Sequence, residues 1–303
     1  MAKALGSVEE MIGDTPLVRL SKIEKYCDFF GKIYAKIEGK NPSGSVKDRP
    51  ALFMLNDMER RGIISRGSRV VEATSGNMGI SLAFFSAVRG YRAVIVMPRS
   101  ASVERQRIIK ALGASLVLTD GGMEEAINKA KEILDDGGVS LMQFDNPMNP
   151  YSHELTTGPE IWRDTNGEVD LFVCGVGTGG TISGVGRCLK RQNPSVKIVA
   201  VEPTESQILS GGKPGNHKIQ GIGAGFLPTI LDKNIINSVI SVDFEHAEKG
   251  VSLLAMREGI LSGLSSGAAI WATVELARRE ENQGKNIVTL LPDGIEKYLS
   301  CLS

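Results

Sequence analysis

Three short stretches carry residue types suited to chemistry, and none relies on a histidine or a metal ligand. The first is Asn41-Pro42-Ser43-Gly44-Ser45-Val46-Lys47-Asp48-Arg49, a Pro/Gly/Ser turn that delivers one lysine to the start of an apolar-periodic segment predicted as a helix over 49–60. An ammonium there faces the positive end of the helix dipole, which lowers its pKa. A larger fraction of free amine suits Schiff-base chemistry. An ordinary solvated lysine is the bland alternative, and this motif alone leaves it open.

The second stretch, Gly175-Val176-Gly177-Thr178-Gly179-Gly180-Thr181, falls between a predicted strand and a predicted helix. Backbone amides without side chains, a helix N-terminus and the hydroxyls of Thr178 and Thr181 form a cup for a phosphate without any cation. Gly175, Gly177 and Gly180 also fit G-x-G-x-x-G, with Glu202 about 22 residues further on where a ribose-binding carboxylate would stand. A phosphate cup, a dinucleotide site and a structural turn all remain open here. The position after a full α/β unit argues against the dinucleotide, whose fingerprint usually occupies the first βα turn of its domain. The third stretch, Thr74-Ser75-Gly76-Asn77, is a small polar turn before a helix, able to hold a carboxylate or simply to cap the helix. A reactive lysine, a cationless phosphate cup and a carboxylate-sized anion site are together what pyridoxal phosphate chemistry on an amino acid requires.

The elements that must position these stretches alternate. Strands are predicted at 15–20, 32–38, 69–73, 93–97, 115–118, 140–144, 171–174, 196–201, 238–242 and 286–291. Helices are predicted at 49–60, 78–88, 103–112, 123–135, 157–163 and 182–191, and two more flank the Gly263-Leu264-Ser265-Ser266-Gly267 segment. The βαβ spacing predicts an α/β protein of two lobes, each a mostly parallel twisted sheet flanked by helices. The loop 145–150, with two prolines, is the predicted lobe boundary, and the glycine-rich 203–228 stretch reads as a loop lining a site. No internal repeat is present.

Composition narrows the function classes. With 303 residues the chain can bury a large core. Lys+Arg and Asp+Glu both number 35, so no net field recruits nucleic acid or an anionic membrane. The expected partner is a small neutral or zwitterionic molecule. Cys27, Cys174, Cys188 and Cys301 lack C-x-x-C spacing, His153, His217 and His246 lack metal spacing, and Met1-Ala2-Lys3-Ala4 leads into no apolar signal segment. A reducing cytoplasm, free thiols and no metal site are expected. No apolar run of about 18 residues exists to span a membrane.

Over nearly its whole length the chain resembles the cysteine synthase / cystathionine β-synthase branch of the fold type II pyridoxal-phosphate enzymes, which share the tryptophan-synthase-β-like fold. The resemblance rests on the three stretches above and on 13–18, Gln143-Phe144, 157–162, 221–226, 265–269 and Tyr298-Leu299-Ser300. It implies that Lys47 forms the internal aldimine, that Asn77 meets the pyridoxal 3-oxygen and that Gly177, Thr178, Gly179, Gly180 and Thr181 bind the 5'-phosphate. Ser265, Pro292 and Asp293 are implied to border the cofactor. Thr74, Ser75, Gly76, Asn77, Met78, Gln143 and Gly223 are implied to receive the amino acid. Lys47 would then abstract the α-proton, elimination would give an aminoacrylate, and sulfide or a thiol would add to it. The implied division is a mobile substrate-binding lobe at 41–149 and a larger phosphate-binding lobe at 1–40 plus 150–303, in a cytoplasmic homodimer.

Two positions depart from the family pattern. Met78 stands where a threonine is common, which removes a hydroxyl donor. Gly294 stands where a serine or threonine commonly meets the pyridine nitrogen, and the expectation is that the neighbouring Asp293 points away from that nitrogen. The leading expectation is L-cysteine formation from O-acetyl-L-serine and sulfide. Alternatives on the same scaffold are hydrogen-sulfide release from cysteine, lanthionine or cystathionine formation, and use of O-phosphoserine. An NAD-dependent oxidoreductase using Glu202, or a catalytically silent binding protein, would be alternatives from other classes.

Overall fold

Short β-branched runs with few polar interruptions pair in parallel when both faces are covered, and this chain builds two such sheets. The computed structural model describes residues 4–300; Cys301 and residues 1–3 lie outside them. The larger sheet orders its strands β1 (Leu17–Arg19), β2 (Lys32–Ile37), β9 (Asn286–Leu291), β6 (Leu171–Gly175), β7 (Lys197–Pro203) and β8 (Ser238–Val242). Only the β1–β2 pair is antiparallel. The smaller sheet is the parallel trio β3 (Arg69–Ala73), β4 (Arg92–Pro98) and β5 (Ser115–Thr119).

Helices cover both sheets. The smaller carries α2 (Asp48–Arg60), α3 (Asn77–Arg89), α4 (Val103–Ala111) and α5 (Met123–Asp135). The larger carries α1 (Ser21–Tyr26), α6 (Met148–Leu155), α7 (Thr157–Asp164), α8 (Gly180–Gln192), α9 (Phe244–Leu253) and α10 (Leu264–Ala277). Separate cores result. Met54, Leu55, Phe85 and Ile95 belong to one, while Ile33, Val173, Val199 and Ile287 belong to another.

The predicted strand over 140–144 is not formed. Val139 makes a single bridge to Val70, after which Met142 takes a φ of 54° and the chain turns. The Leu141 N–H goes to the side chain of Glu72, not to a neighbouring strand, at 3.1 Å. The predicted loop over 145–150 is partly helical: Pro147 caps α6 and Pro150 lies in its first turn, where a missing N–H leaves no broken bond. Likewise, Ser265 and Ser266 belong to the first turn of α10 and do not separate two helices.

A buried ionic network ties α2 to the larger sheet. Arg49, 1% exposed, donates to Glu38 at 2.7 and 2.8 Å and to Glu160 at 2.6 and 2.7 Å. Fully buried Lys36 donates to the Thr15 carbonyl at 2.6 Å and pairs with Glu160 at 2.8 Å. Burial alone would raise the pKa of Glu160, but its bonds to Arg49 and Lys36 outweigh that and hold it down to about 2. Lys47 stands two residues before Arg49, so the network fixes the helix start that presents the lysine.

Candidate active site

Lys47 is the N-cap of α2 and its side chain enters a cavity of about 270 Å³ between the two sheets. The turn before it is tied down by Asp48, whose carboxylate accepts from the Ser43 amide at 2.7 Å and from the hydroxyls of Ser43 and Ser81. Among the described residues the lysine ammonium has no hydrogen-bond or ion-pair partner. Its pKa is lowered chiefly by burial, with Cys174 and Asp293 acting in the opposite direction. Burial also pushes the Cys174 thiol up to about 12, so the group nearest the lysine in this respect is a neutral thiol.

The glycine stretch forms the cavity's far wall. Gly177 approaches the carbonyl of Gly221 too closely to carry a Cβ, and Gly179 has a φ of 81°. The first amides of α8 follow directly. Two hydroxyls are set from behind. Thr178 Oγ1 accepts from the Asn149 amide at 3.2 Å, and Thr181 Oγ1 lies 3.2 Å from His153 Nε2. His153 is fully buried and its other nitrogen lies 2.9 Å from Thr157 Oγ1. Burial, with the nearby cations Arg49 and Lys47, drives its pKa well below the usual value and keeps it neutral.

Facing this wall, Thr74, Ser75, Gly76, Asn77 and Met78 line the smaller sheet's side, with Gln143 beside them. Thr74 Oγ1 accepts from the Gly76 amide at 3.1 Å, which closes the turn. Met78 is 1% exposed and belongs to the smaller lobe's core as well as to the cavity wall. Gly223, Ser265 and Pro292 also line the cavity. Two predicted residues do not. Gly180 lies behind the wall against Asn149, and Asp293 is turned aside. Asp293 Oδ2 accepts from Asn77 Nδ2 at 2.7 Å and from the Tyr298 hydroxyl at 2.6 Å, with Arg105 at 3.7 Å.

Sequence reasoning missed several wall residues: Arg105, Phe144, Cys174, His217 and Gln220. Arg105 is buried, stacked 4.4 Å from the Tyr298 ring centroid, and bonded to Gln220. An arginine inside a predicted helix carries no local sign of this; a distant acceptor buries it. The dinucleotide alternative loses its ribose ligand, because Glu202 accepts from the Leu209 amide at 2.7 Å and the Ser210 hydroxyl at 2.5 Å. Its carboxylate holds a loop together.

These residues suit a phosphorylated aldehyde. The cradle at Gly177 to Thr181 offers amides and hydroxyls where a Cβ would intrude, and Asn77 Oδ1 is a buried acceptor without a partner among the described residues. Among the described residues no Asp or Glu lines the cavity, so nothing in its wall repels a dianion. Gly180→Ala should show how tightly this wall is built. The new Cβ would fall on the Asn149 amide, which also donates to the Gln143 carbonyl at 2.8 Å. Alanine's helix preference, worth about 1 kcal/mol, is smaller than an overpacking cost of roughly 1–3 kcal/mol. The expected result is a lower thermal midpoint and roughly tenfold weaker cofactor binding in a fluorescence titration. An unchanged pair of values would show that the wall yields freely.

A buried lysine, an amide-and-hydroxyl cradle and a second anion turn between two α/β lobes define an enzyme that works through a phosphorylated aldehyde cofactor. Residues 8–293 match the family described as pyridoxal-phosphate dependent enzyme, and the chain belongs to that family. It is 49% identical to a cysteine synthase of Staphylococcus aureus over 302 residues, covering 98% of this chain and 96% of the relative. Its structure is similar to that of a cysteine synthase from Entamoeba histolytica, with a TM-score of 0.94 and 42% identity over 99% of this chain and 90% of the other. A hydrogen sulfide-producing enzyme from Fusobacterium nucleatum is similar too, with a TM-score of 0.94 and 40% identity over 98% of this chain and 100% of the other.

Proposed function

We propose that the chain is a cysteine synthase that joins sulfide to the three-carbon skeleton of O-acetyl-L-serine with loss of acetate. The observation that carries this reading is the Lys47 amine between a glycine cradle and the Thr74 to Asn77 turn: among the described residues it is unpaired and no carboxylate lines its cavity. Bound there, pyridoxal phosphate supplies an aldehyde for the lysine and an electron sink that acidifies the substrate Cα. Gly177, Thr178, Gly179 and Thr181 hold the phosphate through amides and hydroxyls, and Thr74, Ser75 and Gln143 take the amino-acid carboxylate. Met78, lacking a hydroxyl, contributes through its backbone amide at the start of α3.

Lys47 Nζ is the base for the proton at Cα, since burial favours its neutral form, among the described residues no carboxylate lines the wall, and the wall's histidine, His217, meets the Gly223 carbonyl through Nε2. Asp293 Oδ2 is taken by Asn77 and Tyr298 and the residue does not line the cavity, which supports the reading that it leaves the pyridine nitrogen unprotonated. An unprotonated ring spreads negative charge less and so favours elimination at Cβ over racemisation. We assign residues 41–149 to a lobe that closes on the substrate against 1–40 plus 150–303. Exposed polar contacts, such as Ser300 with Glu104 and Thr229 with Asp145, join the lobes at the rim, while the buried bonds of Arg49 to Glu38 and Glu160 hold the base of α2 to the larger lobe.

A second reading, hydrogen-sulfide release from L-cysteine, is favoured by the likeness to the Fusobacterium enzyme. Product analysis separates the two: O-acetyl-L-serine plus sulfide should yield L-cysteine and acetate faster than L-cysteine alone yields sulfide. The reverse order would replace the first reading by the second. Among the described residues no helix is long and apolar enough to cross a membrane. Cys27, Cys174 and Cys188 are free thiols, which supports a cytoplasmic setting. A homodimer is the assembly we expect, and a sedimentation mass near that of one chain would overturn it.

A further inference from the structure

We infer that Glu72 is a positioning residue for the amino-acid carboxylate site, holding the loop that carries Gln143 against the strand that delivers Thr74. The inference rests on the reading of Gln143 as a carboxylate ligand. Glu72 belongs to β3, two residues before Thr74, and is 3% exposed. Its Oε2 accepts from the Ser140 hydroxyl at 2.8 Å and from the Leu141 amide at 3.1 Å. The Met142 amide donates in turn to Ser140 Oγ at 3.1 Å, so the carboxylate reaches it through the Ser140 hydroxyl.

Met142 is 57% exposed and holds a φ of 54°, a conformation an unbranched side chain adopts only at a cost. Glu72 Oε2 is the common acceptor for the Ser140 hydroxyl and the Leu141 amide just before that residue, and the Ser140 oxygen takes the Met142 amide. Without this acceptor two donors would face one another and the turn would lose its anchor.

Stability alone does not account for the residue. Among the described residues no cation pairs with it, and burial raises its pKa to about 7 against the pull of its hydrogen bonds. The folded pKa lies above the usual value of 4.5, so ionisation opposes folding as pH rises toward 7 and beyond. A carboxylate that works against the fold at neutral pH yet holds Ser140 and Leu141 directly, and Met142 through Ser140, acts on the placement of the residue that follows them. What it places is the Gln143 side chain, which lines the same cavity as the Thr74 to Asn77 turn.

Glu72→Gln keeps the volume but turns an amide N–H₂ toward backbone donors. In the holoenzyme, the dissociation constant for L-alanine, which has the amine and carboxylate but no leaving group, can be read from the shift of the cofactor's visible band. Glu72→Gln should weaken it about tenfold and Ser140→Ala about threefold. Cofactor affinity should change less than about twofold, and the thermal midpoint at pH 8 should hold or rise. Gln143→Ala should weaken L-alanine binding, and adding Glu72→Gln to it should cost little more, because both act through one side chain.

Additive losses would overturn the inference, as would normal L-alanine binding in both Glu72→Gln and Ser140→Ala. A joint fall of thermal midpoint and cofactor affinity in Glu72→Gln would reduce the residue to a scaffold part. If Glu72→Gln does not fold, normal binding in Ser140→Ala counts against the inference and a threefold loss supports it. Gln143→Ala binding L-alanine like the parent would instead remove the reading of Gln143, and this role for Glu72 with it.

Discussion

Lys47→Ala should eliminate the cofactor's visible absorption band and reduce turnover by about 10⁴-fold or more, because one amine both anchors the aldehyde and serves as the base at Cα. The cavity supplies no equal replacement: the Cys174 thiol is held neutral by burial, His217 meets the Gly223 carbonyl through Nε2 at 2.9 Å, and among the described residues no carboxylate lines the wall. Borohydride reduction followed by peptide mass analysis should place the added mass on Lys47 in the parent and nowhere in the variant. Retained turnover in Lys47→Ala would sink the assignment. Cys174→Ser should keep the band, since that thiol lies in the wall without reacting.

The same lysine predicts a pH dependence. Burial lowers its pKa below 10.5, so at any lower pH more of it is neutral than of an exposed lysine. Recombination of cofactor-free protein with pyridoxal phosphate should therefore rise with pH through a midpoint below 10.5. A midpoint at or above that value would show that the ammonium is stabilised in the cavity.

The regular parts of this fold were legible because their signals are local. The strands over 69–73, 238–242 and 286–291 and the helix over 123–135 form with the bounds read from the sequence, since periodicity and end signals agreed there. The three chemical stretches also meet in one cavity, as strand-to-helix turns at the same edge of two parallel sheets must. What was illegible depends on partners far along the chain. The run over 140–144 looks like a strand, but Glu72 draws its amides away from the sheet. Arg105 looks like a surface helix residue, yet Gln220, Asp293 and Tyr298 meet it in the interior. For Asp293, position in the turn said only that its direction differs from its neighbour's. Asn77 and Tyr298 decide where it points.

Arg49→Met tests the frame behind the lysine, and its expected effect on stability is the largest of any single substitution considered. Arg49 is the common donor to two buried carboxylates, so its removal leaves Glu38 with the Thr15 hydroxyl and the Asn41 amide, and Glu160 with Lys36. Removing one partner of a buried pair costs about 3–5 kcal/mol, far more than methionine's apolar packing returns. Against a total stability of roughly 5–15 kcal/mol, that is a large fraction. The loss should depend on pH. Glu160 is depressed from 4.5 to about 2, so its contribution is present above pH 4.5 and fades as pH falls toward 2. Urea unfolding should accordingly separate Arg49→Met from the parent widely at pH 7 and progressively less below pH 4.5. A gap that stays constant across this range would mean that packing, not charge, sets the cost. Because Arg49 lies in the first turn of α2, the variant should also retain pyridoxal phosphate poorly at pH 7 even where it remains folded. Normal cofactor retention in a destabilised Arg49→Met would show that the turn from Asn41 to Lys47 is held by Asp48, Ser43 and Ser81 alone.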